Sequence, residues 1–216
     1  MPAPDDVRPV EYLGGPVRRL FMRYPWHVGA FVGIALITGL RPCTRHVPEP
    51  PPVVAPMPAF ELLGAGGATV TNDALEGHVW IAGFVCVDCD GPGAPVGPSL
   101  HEIAERARTH DKPMRFLAIG VRADRDTPEA MARWANGSQW LALGGAQGAM
   151  SGLRTGVVRA LGGTSETWSR LFIIDDRGNL RGSYALGERG ADEIYHRAQH
   201  VARESRARRT ATKEAR

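Results

Sequence analysis

The sequence predicts an α/β fold in which a central mixed sheet is flanked by helices. Two long apolar runs, Val79–Val85 and Met114–Val121, have the character of strands that are buried on both faces. Segments with helical periodicity separate the predicted strands, so strands joined by these helices should be parallel, with right-handed crossovers. Two further apolar runs flank Asp176-Arg177-Gly178 and predict a closing antiparallel hairpin.

The remaining elements follow from turn and capping signals. A Gly-rich turn, residues 64–67, separates two short runs and predicts an N-terminal hairpin over residues 60–63 and 68–71. Thr127 and Pro128 suit the cap and first turn of a helix. Further predicted elements are helices at about 98–110, 146–161 and 191–203, and a short strand at 139–143.

The 216 residues allow one ordinary domain with extensions. The net charge of +3 is concentrated in the C-terminal segment, where residues 203–216 hold six arginines or lysines and two glutamates. The rest of the chain is close to neutral and lacks a nucleic-acid-reading motif, so no nucleic-acid partner is predicted. Residues 204–216 form a basic tail that has no apolar periodicity, so this tail is predicted to be disordered.

An apolar stretch over residues 24–40 predicts a membrane anchor at the short limit for spanning a bilayer. Arg18, Arg19 and Arg23 precede it, so residues 1–23 should stay in the cytoplasm. A cleaved signal peptide, with ordinary or twin-arginine export, is the alternative. A Pro-rich linker, residues 41–59, then follows and should hold the folded domain, residues 60–203, away from the membrane. The role of Cys43 in the linker is open.

Cys86 and Cys89 follow the predicted strand Val79–Val85 and are separated by two residues. A cysteine pair in this position of an α/β pattern indicates a thioredoxin-like redox site. The same spacing suits a soft ion such as Cu(I), a structural disulfide, or half of a zinc site. Nearby Asp88 and Asp90 would oppose thiolate formation, because negative charge raises a thiol pKa.

The region from about Phe60 to Arg203 resembles the Sco/SenC family of thioredoxin-like proteins. The hairpin, the first cysteine, the run 124–128 (Asp-Arg-Asp-Thr-Pro), the strand 140–144 and the turn 172–178 carry this resemblance. It implies a membrane-anchored domain outside the cytoplasmic membrane, in the periplasm of a bacterium. It also implies copper binding and a role in building the copper site of cytochrome c oxidase, whose copper-site subunit or another cysteine-containing protein would be the partner.

The chain departs from the family pattern at two places. The family spaces its cysteines by three residues, whereas Cys89 is one residue early, and the family's distant histidine falls at Thr167. Cu(I) tolerates two thiolates but Cu(II) prefers more ligands, including nitrogen, so Cu(I) is the expected form if copper binds at all. His101, and less so Glu166, are possible replacement ligands. The alternatives are a copper-free thiol–disulfide oxidoreductase, with Cys86 attacking and Cys89 resolving, or a non-catalytic adapter with a structural disulfide.

Overall fold

The computed structural model describes residues 25–44, 49–88, 96–110, 114–135, 139–163, 170–186 and 190–214. The chain divides into two compact units, Met1–Val47 and Pro48–Arg216. In the first unit, helix α1 (Pro25–Thr44) exposes Trp26 and Phe31. Within the described residues, no helix combines the length and apolar character that crossing a membrane requires. The anchor predicted over residues 24–40 is therefore not confirmed.

The second unit alternates strands and helices as predicted. Its described elements are β1 (Ala55–Pro56), β2 (Glu61–Leu63), β3 (Thr69–Thr71), β4 (Val79–Val85), α2 (Val96–Thr109), β5 (Met114–Gly120), α3 (Pro128–Ala135), β6 (Trp140–Leu143), α4 (Gln147–Ala160), β7 (Arg170–Ile174), β8 (Asn179–Ala185) and α5 (Gly190–Glu214). Two short 3₁₀ turns, Ala65–Gly67 and Asn72–Leu75, flank β3.

The main sheet has the strand order β1-β8-β7-β4-β5-β6. Strands β4, β5 and β6 are parallel, whereas β7 is antiparallel to β4 and β8 is antiparallel to β7. This arrangement confirms the predicted mixed sheet and its closing hairpin. The predicted N-terminal hairpin is also present, as the antiparallel pair β2–β3, and a bridge between Leu63 and Gly144 joins it to the end of β6.

Hydrophobic side chains fill both faces of the sheet, and β4 contributes to both. Ile81 packs in the cluster that holds α2, α3 and α5, while Trp80 and Phe84 pack in the cluster that holds the β2–β3 hairpin and α4. Gly83 has a specific role, because a Cβ there would lie 2.7 Å from Val96 Cγ1 in α2. The glycine therefore lets α2 approach the strand that leads to the first cysteine.

The folded domain begins before residue 60, which was its predicted first residue. Strand β1 pairs with β8, the Met57 amide donates to the Gly178 carbonyl at 2.9 Å, and the Met57 side chain is 5% exposed. Arg181 Nε donates to the Pro51 carbonyl at 2.6 Å. The prediction that residues 41–59 are only a spacer is thus wrong for residues 51–57. Strand β1 tolerates proline because it lies at the edge of the sheet, where not every amide hydrogen is needed for pairing.

The end of the chain also differs from its prediction, because α5 continues to Glu214. The disorder predicted for residues 204–216 is wrong as far as residue 214. Ser205 is fully buried and its Oγ donates to Asp176 Oδ1 at 2.6 Å, while Arg208 Nη2 donates to the same oxygen at 2.5 Å. These polar contacts hold the helix beyond the end of its apolar face. Their acidic partner, Asp176, lies in the turn between β7 and β8.

A buried ion pair fastens α5 and the N-terminal segment to β8. The Arg181 side chain is 4% exposed and lies 3.2 Å from Asp175 Oδ2 and 2.5 Å from Glu204 Oε2. Burial favours the neutral guanidinium, but the hydrogen bonds and charges of the two carboxylates outweigh it, so the pKa of Arg181 is raised. Removing one partner from such a pair costs about 3–5 kcal/mol, because the other charge is left buried and unpaired.

Candidate functional site

Cys86 comes directly after β4, at the end of the sheet where the parallel strands terminate. Every residue of β4 is buried, whereas Cys86 is partly exposed. The chain therefore passes from the core to the surface at Cys86. Cys86 is disulfide-bonded. Cys89 lies outside the described residues, and its pairing with Cys86 stays a prediction.

The buried carboxylate of Asp126 holds the loop that begins at Cys86. Its Oδ1 accepts a hydrogen bond from the Val87 amide at 2.9 Å, and its Oδ2 accepts bonds from the Val121 and Arg122 amides at 2.8 Å each. The residue is 0% exposed. Since hydrogen bonds to a charged group contribute about 1.5–3 kcal/mol each, one side chain ties the cysteine loop to the loop after β5.

Two glycines make room for the segment that carries Asp126. A Cβ on Gly120 would lie 2.8 Å from the Asp126 Cβ, and a Cβ on Gly144 would lie 2.5 Å from the Asp126 backbone oxygen and 2.9 Å from Pro128 N. All three distances are shorter than those that real Cβ atoms show. The ends of β5 and β6 are therefore shaped to seat this segment, and Thr127 Oγ1 then accepts from the Ala130 amide to cap α3.

The loop after β5 carries charged side chains, and one of them contacts the exposed side of the cysteine loop. Arg125 Nη1 donates to the Asp88 carbonyl at 3.2 Å, which adds a second link to this loop. Arg122 Nη2 lies 2.8 Å from Asp124 Oδ2 in a solvent-exposed pair. The hydrogen bond from Arg122 lowers the pKa of Asp124. The cysteine loop is thus held by a buried contact with Asp126 and an exposed contact with Arg125.

His101, a possible ligand in the sequence analysis, has both ring nitrogens against backbone carbonyls. Nδ1 lies 3.3 Å from the Gly97 oxygen and Nε2 lies 3.1 Å from the Trp134 oxygen. The ring also contacts Trp134 edge-on at 4.4 Å and Trp140 at 4.8 Å between centroids. In this arrangement the imidazole packs against two aromatic rings, and each ring nitrogen faces a backbone carbonyl, one of them a terminal carbonyl of α3.

Within the part of the chain that the structure describes, no group of three or more His, Cys, Asp or Glu side chains is arranged to hold a metal ion. Thr167, which stands at the position of the family's histidine, and Glu166, a possible replacement ligand, lie outside the described residues, as does Cys89. The described donor set is one sulfur, that of Cys86. Such a set fits a soft two-thiolate ion only with a second cysteine, and it contains no nitrogen ligand for Cu(II).

A mixed sheet between helices, with a cysteine at the exposed end of its central parallel strand, defines a thioredoxin-like protein. The SCO1/SenC family model matches residues 50–202, well over half of the chain. The chain belongs to the SCO1/SenC family.

Individual relatives agree with this membership at low sequence identity. The SCO1 protein homolog of Bacillus subtilis (strain 168) is 21% identical over 76 residues, which are 35% of this chain and only 39% of that relative. The solved structure of BsSco, a member of the Sco family of cytochrome c oxidase assembly proteins with a disulfide switch, has a TM-score of 0.58 and 17% identity over 71% of this chain and 96% of its own.

Two further solved structures show the same fold. A SCO1/SenC family lipoprotein from Bacillus anthracis str. Ames has a TM-score of 0.58 and 18% identity, covering 70% of this chain and 97% of its own. Arabidopsis thaliana ScoI, solved with copper bound, has a TM-score of 0.50 and 13% identity, covering 69% of this chain and 99% of its own. At such identities the structures establish the fold.

Sequence reasoning identified Cys86 and noted the run 124–128, but it missed what Asp126 does there. An aspartate just before a capped helix looks like an ordinary solvent-exposed residue in a sequence. The available signal was the pair of glycines at the ends of two buried strands, Gly120 and Gly144, which indicates a close backbone approach at that edge of the sheet.

Proposed function

We propose that this protein handles copper, cysteine thiols or both during assembly of the copper site of cytochrome c oxidase. The observation that carries the proposal is the disulfide-bonded Cys86, partly exposed at the end of β4 and held there through Asp126 in a SCO1/SenC fold. The described relatives of this fold include a cytochrome c oxidase assembly protein with a disulfide switch and a copper-bound protein, which supports both parts of the proposal.

The thiol chemistry requires Cys86 and Cys89 to alternate between a dithiol and a disulfide. In the reduced protein, the Cys86 thiolate attacks one sulfur of a partner disulfide, forms a mixed disulfide and releases the first partner thiolate. The Cys89 thiolate then attacks the Cys86 sulfur and releases the second one. Two electrons pass to the partner, its cysteines become able to bind metal, and an external dithiol donor must reduce the Cys86–Cys89 disulfide again.

Copper is the expected cargo of the reduced pair. Two thiolates suit Cu(I), which is soft and tolerates low coordination, and within the described residues no group of three or more His, Cys, Asp or Glu side chains is arranged to hold a metal ion. Cu(II) binding should therefore be weak. The alternative functions are a thiol–disulfide oxidoreductase that carries no copper and a non-catalytic adapter whose disulfide is structural.

The proposed location is the inner membrane of a bacterium, with one span and the folded domain in the periplasm. The support is the sequence: three arginines precede the apolar stretch 24–40, which orients such a segment with its N-terminus in the cytoplasm. The proposed client is the copper-site subunit of the oxidase or another extracytoplasmic protein with paired cysteines. An oxidising compartment suits a protein with a disulfide-bonded cysteine.

The deciding experiment is a Cu(I) titration of the reduced full-length chain against a chromophoric Cu(I) chelator, without oxygen. Cys86→Ser and Cys89→Ser should each weaken binding by at least about tenfold, because one thiolate is a poor chelate. Cys43→Ser is the matched control and should bind like the unaltered chain. An intensely coloured Cu(II) complex with a sulfur-to-copper band would contradict the expected ligand set.

Redox titration of the same proteins separates the three functions. In graded glutathione or dithiothreitol buffers, read by thiol alkylation and mass, we expect a potential of roughly −300 to −150 mV. Copper binding together with this potential supports the full proposal, and the potential without copper binding leaves the oxidoreductase. A disulfide that resists strongly reducing buffer, with no copper binding, would reject both and leave the adapter.

A further inference from the structure

A cavity of about 270 Å³ lies where the last turns of α5 pass the β7–β8 turn. The turn contributes Asp176 and Arg177, and the helix contributes Arg208, Arg209, Thr212 and Lys213. The helix residues continue the face that buries Ser205 and the apolar side chains before it, at the spacing of three and four residues that defines one side of a helix. The inward-facing side of α5 therefore changes from apolar to cationic at this cavity.

Four cations and one carboxylate line the cavity, and one of the cations, Arg208, is also paired with Glu204. The carboxylate, Asp176, is 8% exposed and is already bonded to Arg208 and Ser205. Arg209 Nη1 donates to the Gly77 carbonyl at 2.8 Å and lies 3.9 Å from Asp176 Oδ2. Burial raises the pKa of Asp176, but the hydrogen bonds from Ser205 and Arg208 outweigh this, so its pKa is lowered and it stays ionised.

The two outer cations of the cavity, Arg177 and Lys213, form no ion pair with any of the residues that the structure describes. The Nε of Arg208, another lining residue, is buried and is an unsatisfied hydrogen-bond donor within the described structure. Unneutralised guanidinium and ammonium groups around a small hollow are what an oxyanion requires, because they supply converging charged donors.

The cavity lies at the end of the sheet opposite to the cysteine. Strand β7 is antiparallel to β4, with Trp80 opposite Ile174 and Gly83 opposite Leu171. The turn that holds Asp176 therefore adjoins the start of β4, where the Gly77 amide donates to the Asp176 carbonyl at 2.9 Å, whereas Cys86 follows the end of β4. This separation makes the cavity a second site, independent of the thiol chemistry.

We propose that the cavity between the β7–β8 turn and the end of α5 binds a phosphoryl group, with Arg177, Arg209 and Lys213 as its cationic ligands. Its volume is just below that of pockets for drug-sized molecules, which begin at about 300 Å³, so it suits a small ligand such as a phosphoryl group with a short substituent. The phosphoryl group is either free inorganic phosphate or the headgroup of an anionic phospholipid. Thr212 also lines the cavity, but its Oγ1 donates to the Arg208 carbonyl at 3.0 Å, so the cationic side chains are the donors of the site.

The test is calorimetric titration of the full-length chain at constant ionic strength. The probes are inorganic phosphate and glycerophosphoglycerol, the water-soluble headgroup of an anionic phospholipid. The double variant Arg177→Gln/Lys213→Gln removes two cavity cations. The matched control Arg203→Gln/Arg206→Gln removes two exposed cations of the same helix that do not line the cavity, so both variants have the same net charge.

We expect the cavity variant to weaken phosphate binding at least about tenfold and the control variant to weaken it no more than about twofold, since distant surface charges are screened. Binding of inorganic phosphate alone identifies free phosphate as the ligand, and binding of both probes extends the site to the lipid headgroup. An equal loss in both variants would mean diffuse surface charge and would overturn the proposal. Absence of binding by either probe would overturn it as well.

Discussion

Replacing Asp126 with asparagine tests whether one buried carboxylate positions the cysteine loop. The carboxylate accepts three backbone hydrogen bonds at 2.8–2.9 Å, from Val87 at one oxygen and from Val121 and Arg122 at the other. An asparagine has only one oxygen. Whichever way its amide is oriented, the NH₂ group faces at least one of these N–H donors, and the best orientation keeps two bonds and places this group against Val87, beside Cys86.

The magnitude follows from these contacts. The substitution removes one charge-assisted hydrogen bond, weakens two others and leaves a buried donor without an acceptor. Together these changes lower the free energy of unfolding by about 2–4 kcal/mol. For a domain of this size, such a loss lowers Tm by roughly 5–15 °C. The Val87 amide should also lose its protection against hydrogen exchange, because its acceptor is the group that has been changed.

The assays are urea unfolding and hydrogen exchange at residue resolution, both on the full-length chain. Asp124→Asn is the matched control: it makes the same chemical change two residues earlier, where the side chain is 65% exposed. The control should leave both the free energy of unfolding and the protection of Val87 nearly unchanged. If Asp126→Asn behaves like the control, the carboxylate does not anchor the loop and the reasoning fails.

Two further predictions concern the ends of the folded unit. A chain that begins at residue 60 should be less stable than one that begins at residue 48, because it loses β1 and the carbonyl bonded to Arg181; equal urea midpoints for the two chains would contradict this. The contacts of Asp176 with α5 should stabilise the helix end at neutral pH and be lost as pH falls below the ordinary value of 3.8, since a lowered pKa means that the folded state prefers the ionised form. Hydrogen exchange across 205–214 between pH 6 and pH 2.5 measures this, and an Asp176→Asn variant with unchanged exchange at pH 6 would refute it.

The main sheet could be predicted because its signals are local and strong. Buried strands such as Val79–Val85 have apolar residues throughout, and the turn after β7 contains the glycine that its geometry requires, since Gly178 has a φ of 76°. The pairing directions then follow from the connections, because strands joined through helices are parallel and a tight turn reverses the chain. Cys86 was located for the same reason, as the residue that follows such a strand.

The features that sequence reasoning missed depend on partners that are distant in the chain. Arg181 contacts the carbonyl of Pro51, 130 positions earlier, and the basic end of α5 is fixed by Asp176 in a turn. From composition alone, residues 41–59 are interpreted as a proline-rich spacer and residues 204–216 as a charged tail. No local pattern shows that each finds a buried counterpart, which is why both were predicted to lie outside the folded domain.

The short strand β1 has a consequence for how the protein behaves in concentrated solution. The seven-residue strand β8 would otherwise present a row of unpaired amide and carbonyl groups at the border of the sheet, which is a template for pairing with another copy of the chain. Residues 54–57 cover the first part of this row through bonds to Leu180 and Gly178, and the prolines around them cannot extend the pairing outward. A chain without this cover is therefore expected to self-associate more readily through the exposed edge of β8.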